Sequence, residues 1–222
     1  MGITPAAEAV RVALYRHLAD TGTLPDDSIL TSAATGRALP ELLDELEDAR
    51  HIVRRDGRVV LAHPFATRNF RFSVMSASTL WWGGCAWDAF AIPHLVPGAS
   101  NALVATTCPA CDAPHAWTVS TETPPPGSQV AHFLVPGAQI WDDVVHSCEN
   151  QLIFCDEHCV ASWLGRTGEP RGYVMNLETL WRLASHWYEG RLDTPYTRRE
   201  PMAAAEYFRG AGLHGAFWGQ PD

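Results

Sequence analysis

The sequence predicts an α+β fold, on three observations. The first sixty residues carry apolar side chains at helical spacing. From about residue 64 the pattern changes to short alternating runs broken by Pro and Gly. Helical stretches return near the C-terminus, so strands and helices are segregated along the chain rather than strictly alternating.

Residues 5–19 place Val10, Ala13, Leu14 and Leu18 on one stripe behind Pro5, a residue suited to a first helical turn. DDSILTSAATG (Asp26 to Gly36) predicts a short helix capped by Asp27 or Ser28 and closed by Gly36. LPELLDELEDAR (Leu39 to Arg50) collects Leu42, Leu43, Leu46 and Ala49 on one face. HIVRRDGRVVLA (His51 to Ala62) is a hairpin, two β-rich arms around Asp56 and Gly57. Three helices and a hairpin predict an N-terminal winged-helix-like unit over residues 1–63, an arrangement often used to read DNA. The third helix, however, exposes Glu41, Asp44, Glu45, Glu47 and Asp48, which the phosphates flanking a groove would repel. Arg54, Arg55 and Arg58 on the hairpin are accounted for by solvation, and DNA is not the expected partner.

Residues 64–222 are predicted to be a mostly antiparallel sheet domain with packed helices and a C-terminal helical extension. RNFRFSVMS (Arg68 to Ser76) alternates as a strand. STLWWGGCAWDAFAI (Ser78 to Ile92) is predicted to be one helix, capped by Ser78 and ended by Pro93. SNALVATT (Ser100 to Thr107), PHAWTVS (Pro114 to Ser120) and QVAHFLV (Gln129 to Val135) are predicted strands, the last two separated by the TPPPG loop (Thr123 to Gly127). NQLIF (Asn150 to Phe154) is a short buried strand, and helices are expected at 156–164, 177–189 and 201–210. In the second of these, Leu177, Leu180, Trp181, Ala184 and Trp187 recur at helical spacing, which marks core more readily than a ligand pocket.

With 46% apolar and 18% charged residues, the 222-residue chain has the composition of a packed protein rather than a solvated tail. A formal charge of −9 disfavours phosphate-rich or anionic lipid surfaces and leaves small molecules or proteins as partners. The opening MGITPAAEAV lacks the basic and apolar regions of a secretion signal, and no apolar run approaches the ~20 residues of a membrane span. The expected location is cytoplasmic, away from the membrane, where Cys85, Cys108, Cys111, Cys148, Cys155 and Cys159 would be reduced thiols. Each is open to thiol chemistry, metal binding or burial as a small hydrophobe.

In the predicted helix, Cys85 and Asp88 stand at i and i+3 on one face. Gly83 and Gly84 just before them cost helix stability, which points to a bend or to something approaching the backbone closely. A carboxyl group among Trp81, Trp82, Trp87 and Phe90 is desolvated and suited to holding and passing on a proton. No histidine lies between Trp81 and Pro93 to serve as the base of a cysteine hydrolase, although His94, His132 or His146 could arrive through the fold. Thiol paired with acid suits another chemistry, in which sulfur holds a soft metal and the acid supplies a proton.

Trp82, Cys85, Asp88 and Pro93, then Thr107 and Cys108 before Ala113 and Pro114, then His146 to Cys148 before Ile153 and Phe154, together resemble the organomercurial (alkylmercury) lyase family. The resemblance runs from about residue 10 to 165, leaving 170–222 beyond it. It implies a winged-helix-like unit joined to a catalytic α+β domain, and protonolysis of a carbon–mercury bond that releases hydrocarbon and leaves Hg(II) on sulfur. Cys85 and Cys148 match the family's catalytic, mercury-binding thiols, Asp88 its proton carrier and further contact to product mercury, and Cys108 a structural cysteine. No cofactor is implied. The partners implied are a small organometallic substrate, solution thiols and a mercuric reductase that takes the product. The residues alone leave open a lyase-fold enzyme acting on a non-mercury substrate, or a cysteine-based metal-binding regulator.

CPAC (Cys108 to Cys111) has the spacing of a zinc knuckle, and CDEHC (Cys155 to Cys159) offers two more thiols. Cys108, Cys111, Cys155 and Cys159 are therefore a candidate structural zinc set, against the alternative that Cys155 and Cys159 pack inward with Val160 and Trp163.

Overall fold

Three helices, α1 (Pro5–Thr21), α2 (Asp27–Ala33) and α3 (Leu39–Asp48), open the chain in a computed structural model that describes residues 2–199 and 201–220. Thr4 caps α1 by accepting from the Ala7 amide at 3.3 Å, and Gly22, at φ 72°, ends it with an amide bond to the Leu18 carbonyl. The cap of α2 is Asp26, one residue earlier than the predicted Asp27 or Ser28. A hairpin of β1 (Val53–Arg55) and β2 (Arg58–Ala62) follows. Asp56 and Gly57 both have positive φ, 53° and 74°, as a tight two-residue turn requires. Arg54 is taken up by the acidic helix beside it, 2.5 Å from Asp44 and 2.7 Å from Glu47, which removes one of the hairpin's cations from any phosphate-binding surface.

The remaining elements are β3 (Phe65–Ala66), β4 (Phe72–Met75), β5 (Leu80–Gly83), α4 (Ala86–Leu95), β6 (Ala102–Thr107), β7 (Pro114–Val119), β8 (Val130–Phe133), α5 (Val144–Glu149), β9 (Gln151–Phe154), α6 (Glu157–Thr167), β10 (Tyr173–Asn176), α7 (Leu177–Ser185) and α8 (Pro201–Gly210). They form a seven-stranded sheet in the order β1-β2-β3-β5-β4-β6-β7 and a three-stranded sheet in the order β10-β8-β9. Every strand pairing is antiparallel, and the architecture is α+β. The β1–β2 hairpin is the edge of the larger sheet.

The stretch predicted as one helix from Ser78 to Ile92 is a strand followed by a helix. Aromatic Leu80–Gly83 favours the pleated state and pairs on both sides, with β3 and with β4. The helix cap is Cys85 rather than Ser78, and Pro93 lies inside the last turn rather than ending the helix. Three short elements went unpredicted: β3, β10 and α5, which carries His146 to Cys148. The predicted helix 177–189 stops at Ser185.

Helix α4 is apolar all round and buried from Ala86 through Pro93, packed against β4, β5, β9 and α7. The C-terminal segment closes over it. Trp87 lies 4.8 Å from Trp187, 6.0 Å from Phe208 and 6.5 Å from Trp218 between ring centres, so these aromatics are core. The same segment ties back to α1. Buried Arg11 donates to the carbonyls of Arg191 and Asp193, each at 2.6 Å, while pairing with Glu8. Among the described residues no helix is long and apolar enough to cross a membrane.

Three histidines are held neutral. Burial, then the charges of Arg191, Arg11 and Arg198, brings His51 down to about 3. Burial and His186 bring His94 to about 4, and burial and Arg171 bring His132 to about 4. An unfolded chain takes up these protons near pH 6.5 and the folded one does not, so between those values the unfolded state binds more protons. The stability they contribute is therefore present above about pH 6.5 and lost as pH falls toward 4. Thermal melts should show the unfolding temperature dropping by several degrees, starting near pH 6, above the range where carboxylates titrate. A melting temperature flat from about pH 7 to 5 would contradict this assignment.

Candidate active site

The strand-to-helix corner at Gly83–Cys85 builds the site. Cys85 is extended (φ −163°, ψ −176°) and its Sγ accepts from the Asp88 amide at 3.4 Å, taking the place a serine or aspartate oxygen usually holds at a helix start. Asp88 thus sits in the first turn, where a helix favours negative charge. The two glycines before it are required by packing. A Cβ on Gly83 would lie 2.8 Å from Cα and Cβ of Ala89, and one on Gly84 would lie 2.5 Å from Asp88 Oδ2 and 2.9 Å from Leu61. Of the two sequence-level explanations, close approach to the backbone is the operative one.

Asp88 is only 1% exposed, and both of its oxygens are engaged. Tyr188 donates its hydroxyl to Oδ1 at 2.5 Å, and Nδ1 of His63 lies 2.9 Å from Oδ2. His63 arrives through strand pairing: Phe65 is opposite Gly83, and the Gly84 amide bonds to the Pro64 carbonyl. Its other nitrogen, Nε2, is buried without a hydrogen-bond partner among the described residues, and its ring meets Trp141 edge-on. Behind Tyr188, the buried guanidinium of Arg191 sits 5.5 Å from the phenol ring centre and donates to the Tyr15 hydroxyl. Burial and the charge of Asp88 hold the Tyr188 hydroxyl well above its usual range, so it remains a donor.

Cys148 comes from α5, which is capped by Asp143 accepting from the His146 amide and pinned by Ser147 Oγ on the Ile140 and Asp143 carbonyls. Its sulfur, an Asp88 oxygen and a His63 nitrogen all lie within 4.8 Å of one another. The Cys85 and Cys148 thiols are both buried and near enough to influence one another's titration. Burial, the neighbouring Cys148 thiol and the charge of Asp88 push the Cys85 thiol well above its ordinary value. At Cys148 the neighbouring Cys85 thiol pulls downward, but burial and the charges of Asp88 and Glu149 outweigh it and the thiol is raised. Both sulfurs are accordingly protonated at neutral pH, and a soft cation that binds them displaces their protons.

The structure groups Asp88 and Cys148 with His63, sets the Cys85 sulfur on the Asp88 amide, and puts Cys108, Cys111, Cys155 and Cys159 in a separate group. His63 and Tyr188, at 25 and 100 residues from Asp88, were not singled out from the sequence, and nothing in its local spacing marks them. A cavity of about 390 Å³ between α4 and α7 is lined by Ala91, His94, Ser185 and Tyr188 but by none of the three sequence-predicted site residues. It touches the site only through the tyrosine.

A family model described as alkylmercury lyase (MerB) matches residues 65–189. Among solved structures, one described as the mercury-bound form of MerB2 is similar, with a TM-score of 0.63 over 86% of this chain and 92% of its own, at 15% identity. That likeness is one of fold. No curated protein matches the chain.

The corner itself is testable. Because the atoms facing Gly83 are helix backbone and a Cβ that cannot swing aside, Gly83→Ala should cost about 1–3 kcal/mol of stability, read by urea unfolding. An unchanged midpoint would mean that α4 does not rest on β5 as described.

Proposed function

This chain belongs to the alkylmercury lyase family, whose model matches more than half of its length, and from that premise we propose that it cleaves carbon–mercury bonds by protonolysis at Cys85, Asp88 and Cys148. The observation that carries the reading is a pair of buried thiols, Cys85 on the Asp88 amide and Cys148 within 4.8 Å of its carboxyl group, beside an aspartate with both of its oxygens in use. The start of the family match at residue 65 supports dividing the chain into a winged-helix-like unit over 1–63 and a catalytic unit over 64–222.

The steps follow from the groups present. An organomercurial cation carried on a small thiol exchanges onto one cysteine, whose proton leaves with the displaced thiol. The second cysteine then binds the same mercury and passes its proton to Asp88. Two thiolates raise electron density on the metal-bound carbon, and Asp88, held within reach, returns the proton to it. The electron pair of the carbon–mercury bond becomes the new carbon–hydrogen bond, the hydrocarbon leaves, and Hg(II) stays on two sulfurs. The sequence consumes only thiol protons. Soft sulfur selects the soft metal, and release of product passes to solution thiols or to a reductase that accepts them.

His63 and Tyr188 act in this scheme by positioning. Each holds one oxygen of Asp88, so the carboxyl group cannot rotate away from the thiols. Tyr188→Phe removes a bond to a charged group worth about 1.5–3 kcal/mol and should slow turnover without abolishing it, by roughly ten- to a hundredfold.

Headspace gas chromatography of the purified protein given methylmercury or phenylmercury with excess thiol is the direct measurement. Methane or benzene is expected from the wild type and none from folded Cys85→Ala, Cys148→Ala or Asp88→Ala. Near-normal rates in Asp88→Ala would refute the proton-carrier role, and absence of hydrocarbon from folded, reduced wild type would refute the activity.

A further inference from the structure

We propose that Cys108, Cys111, Cys155 and Cys159 bind one structural zinc ion that fastens the β6–β7 loop to the start of α6. Their four sulfurs all lie within 4.8 Å of one another, with Cys111 and Cys155 at 3.5 Å. Tetrahedral Zn–S bonds of about 2.3 Å place sulfurs about 3.8 Å apart, so this spread needs only small side-chain adjustment to surround an ion.

Burial does not explain the cluster. Cys108 is buried, but Cys111 is exposed and Cys155 and Cys159 are half-buried, so the group gains little as small hydrophobes and would converge to no purpose if it bound nothing. Disulfide pairing explains it poorly too, because each sulfur has three near neighbours rather than one.

The backbone is organised around the same point. After Cys108 the chain turns tightly: the Asp112 amide bonds to the Cys108 carbonyl, the Cys108 amide to the Ala113 carbonyl, both at 2.9 Å, and Asp112 adopts φ 58°. This turn presents Cys108 and Cys111 together. On the other side, Asp156 caps α6 by accepting from the Cys159 amide at 2.8 Å, which sets Cys155 just before the helix and Cys159 in its first turn. Nε2 of His115 lies 3.6 Å from the Cys155 sulfur, within reach of a hydrogen bond to a metal-bound thiolate. Arg166, from the far end of α6, donates to the Pro109 carbonyl at 3.0 Å and joins the same two segments independently.

Four convergent thiolates leave no open position, which is the pattern of a structural rather than a catalytic zinc site. Such an ion would link the larger sheet, through the loop after β6, to the smaller one, through the residues after β9. The other end of β9 follows directly on the helix that carries Cys148.

Elemental analysis of protein made in zinc-replete medium and purified without chelator should find about one zinc per chain. The zinc should persist in the Cys85→Ala/Cys148→Ala double variant and be lost from Cys111→Ser/Cys159→Ser. Should that second variant fail to fold, Co(II) exchanged into otherwise wild-type protein should show the thiolate charge-transfer and intense visible bands of a tetrahedral sulfur site. Four freely titrating thiols with no metal, iron in place of zinc, or zinc that departs with Cys85 and Cys148 would each overturn the proposal.

Discussion

A carboxyl group with one per cent of its surface exposed has to be given partners, because burying it without hydrogen bonds would cost several kcal/mol. Much of this fold can be read as the supply of those partners to Asp88. One comes from just before β3, through the antiparallel pairing that sets Phe65 opposite Gly83 and so carries His63 to the carboxylate. Another comes from beyond α7, where Tyr188 bonds to the second oxygen. The tyrosine is in turn backed by Arg191, a buried cation that also holds Tyr15 of α1. The aspartate therefore connects the first helix, the large sheet and the C-terminal segment, and the tail beyond residue 170 is part of the site's support.

The two buried thiols answer to opposing influences whose balance matters. A helix start favours negative charge on Cys85 and lowers the pKa of many reactive cysteines. Here burial, the neighbouring Cys148 thiol and the charge of Asp88 prevail, and the thiol stays protonated. A site that kept free thiolates at neutral pH would bind any soft cation or oxidant at once. One that keeps its thiols neutral until a metal displaces the protons links ligand binding to proton delivery, the coupling that protonolysis requires.

The sequence made much of this legible, for physical reasons that also explain what it hid. Asp56-Gly57 marked its turn because few residue pairs tolerate two positive φ angles, and 53° and 74° are found there. Cys85 and Asp88 stood out together through their i, i+3 spacing in an aromatic stretch, and Cys148 joined them only through the family resemblance. Trp81 to Ile92 misled because an apolar run buried on every side has neither a helical nor a strand period to read, and only tertiary pairing turned its first part into β5. His63 and Tyr188 were invisible because their importance lies in contacts made across 25 and 100 residues. The glycines gave a usable hint: their cost to a helix showed that the backbone there was doing something other than continuing one.

The contrast between the two sets of cysteines follows from how each is enclosed. Cys85 and Cys148 are 2% and 3% exposed, and their neighbours are a carboxylate and an imidazole rather than further thiols. A soft ion with a preference for two sulfurs in line can be held there, with proton-bearing groups at its side. The second quartet offers four sulfurs from two segments and no acid in the ligand set, an arrangement that suits an ion wanting a closed tetrahedron. Sharing one element type, the two sites are separated in chemistry by the number of thiols each provides. On the two proposals made above, that division separates a resident ion in the closed quartet from a transient one at the buried pair.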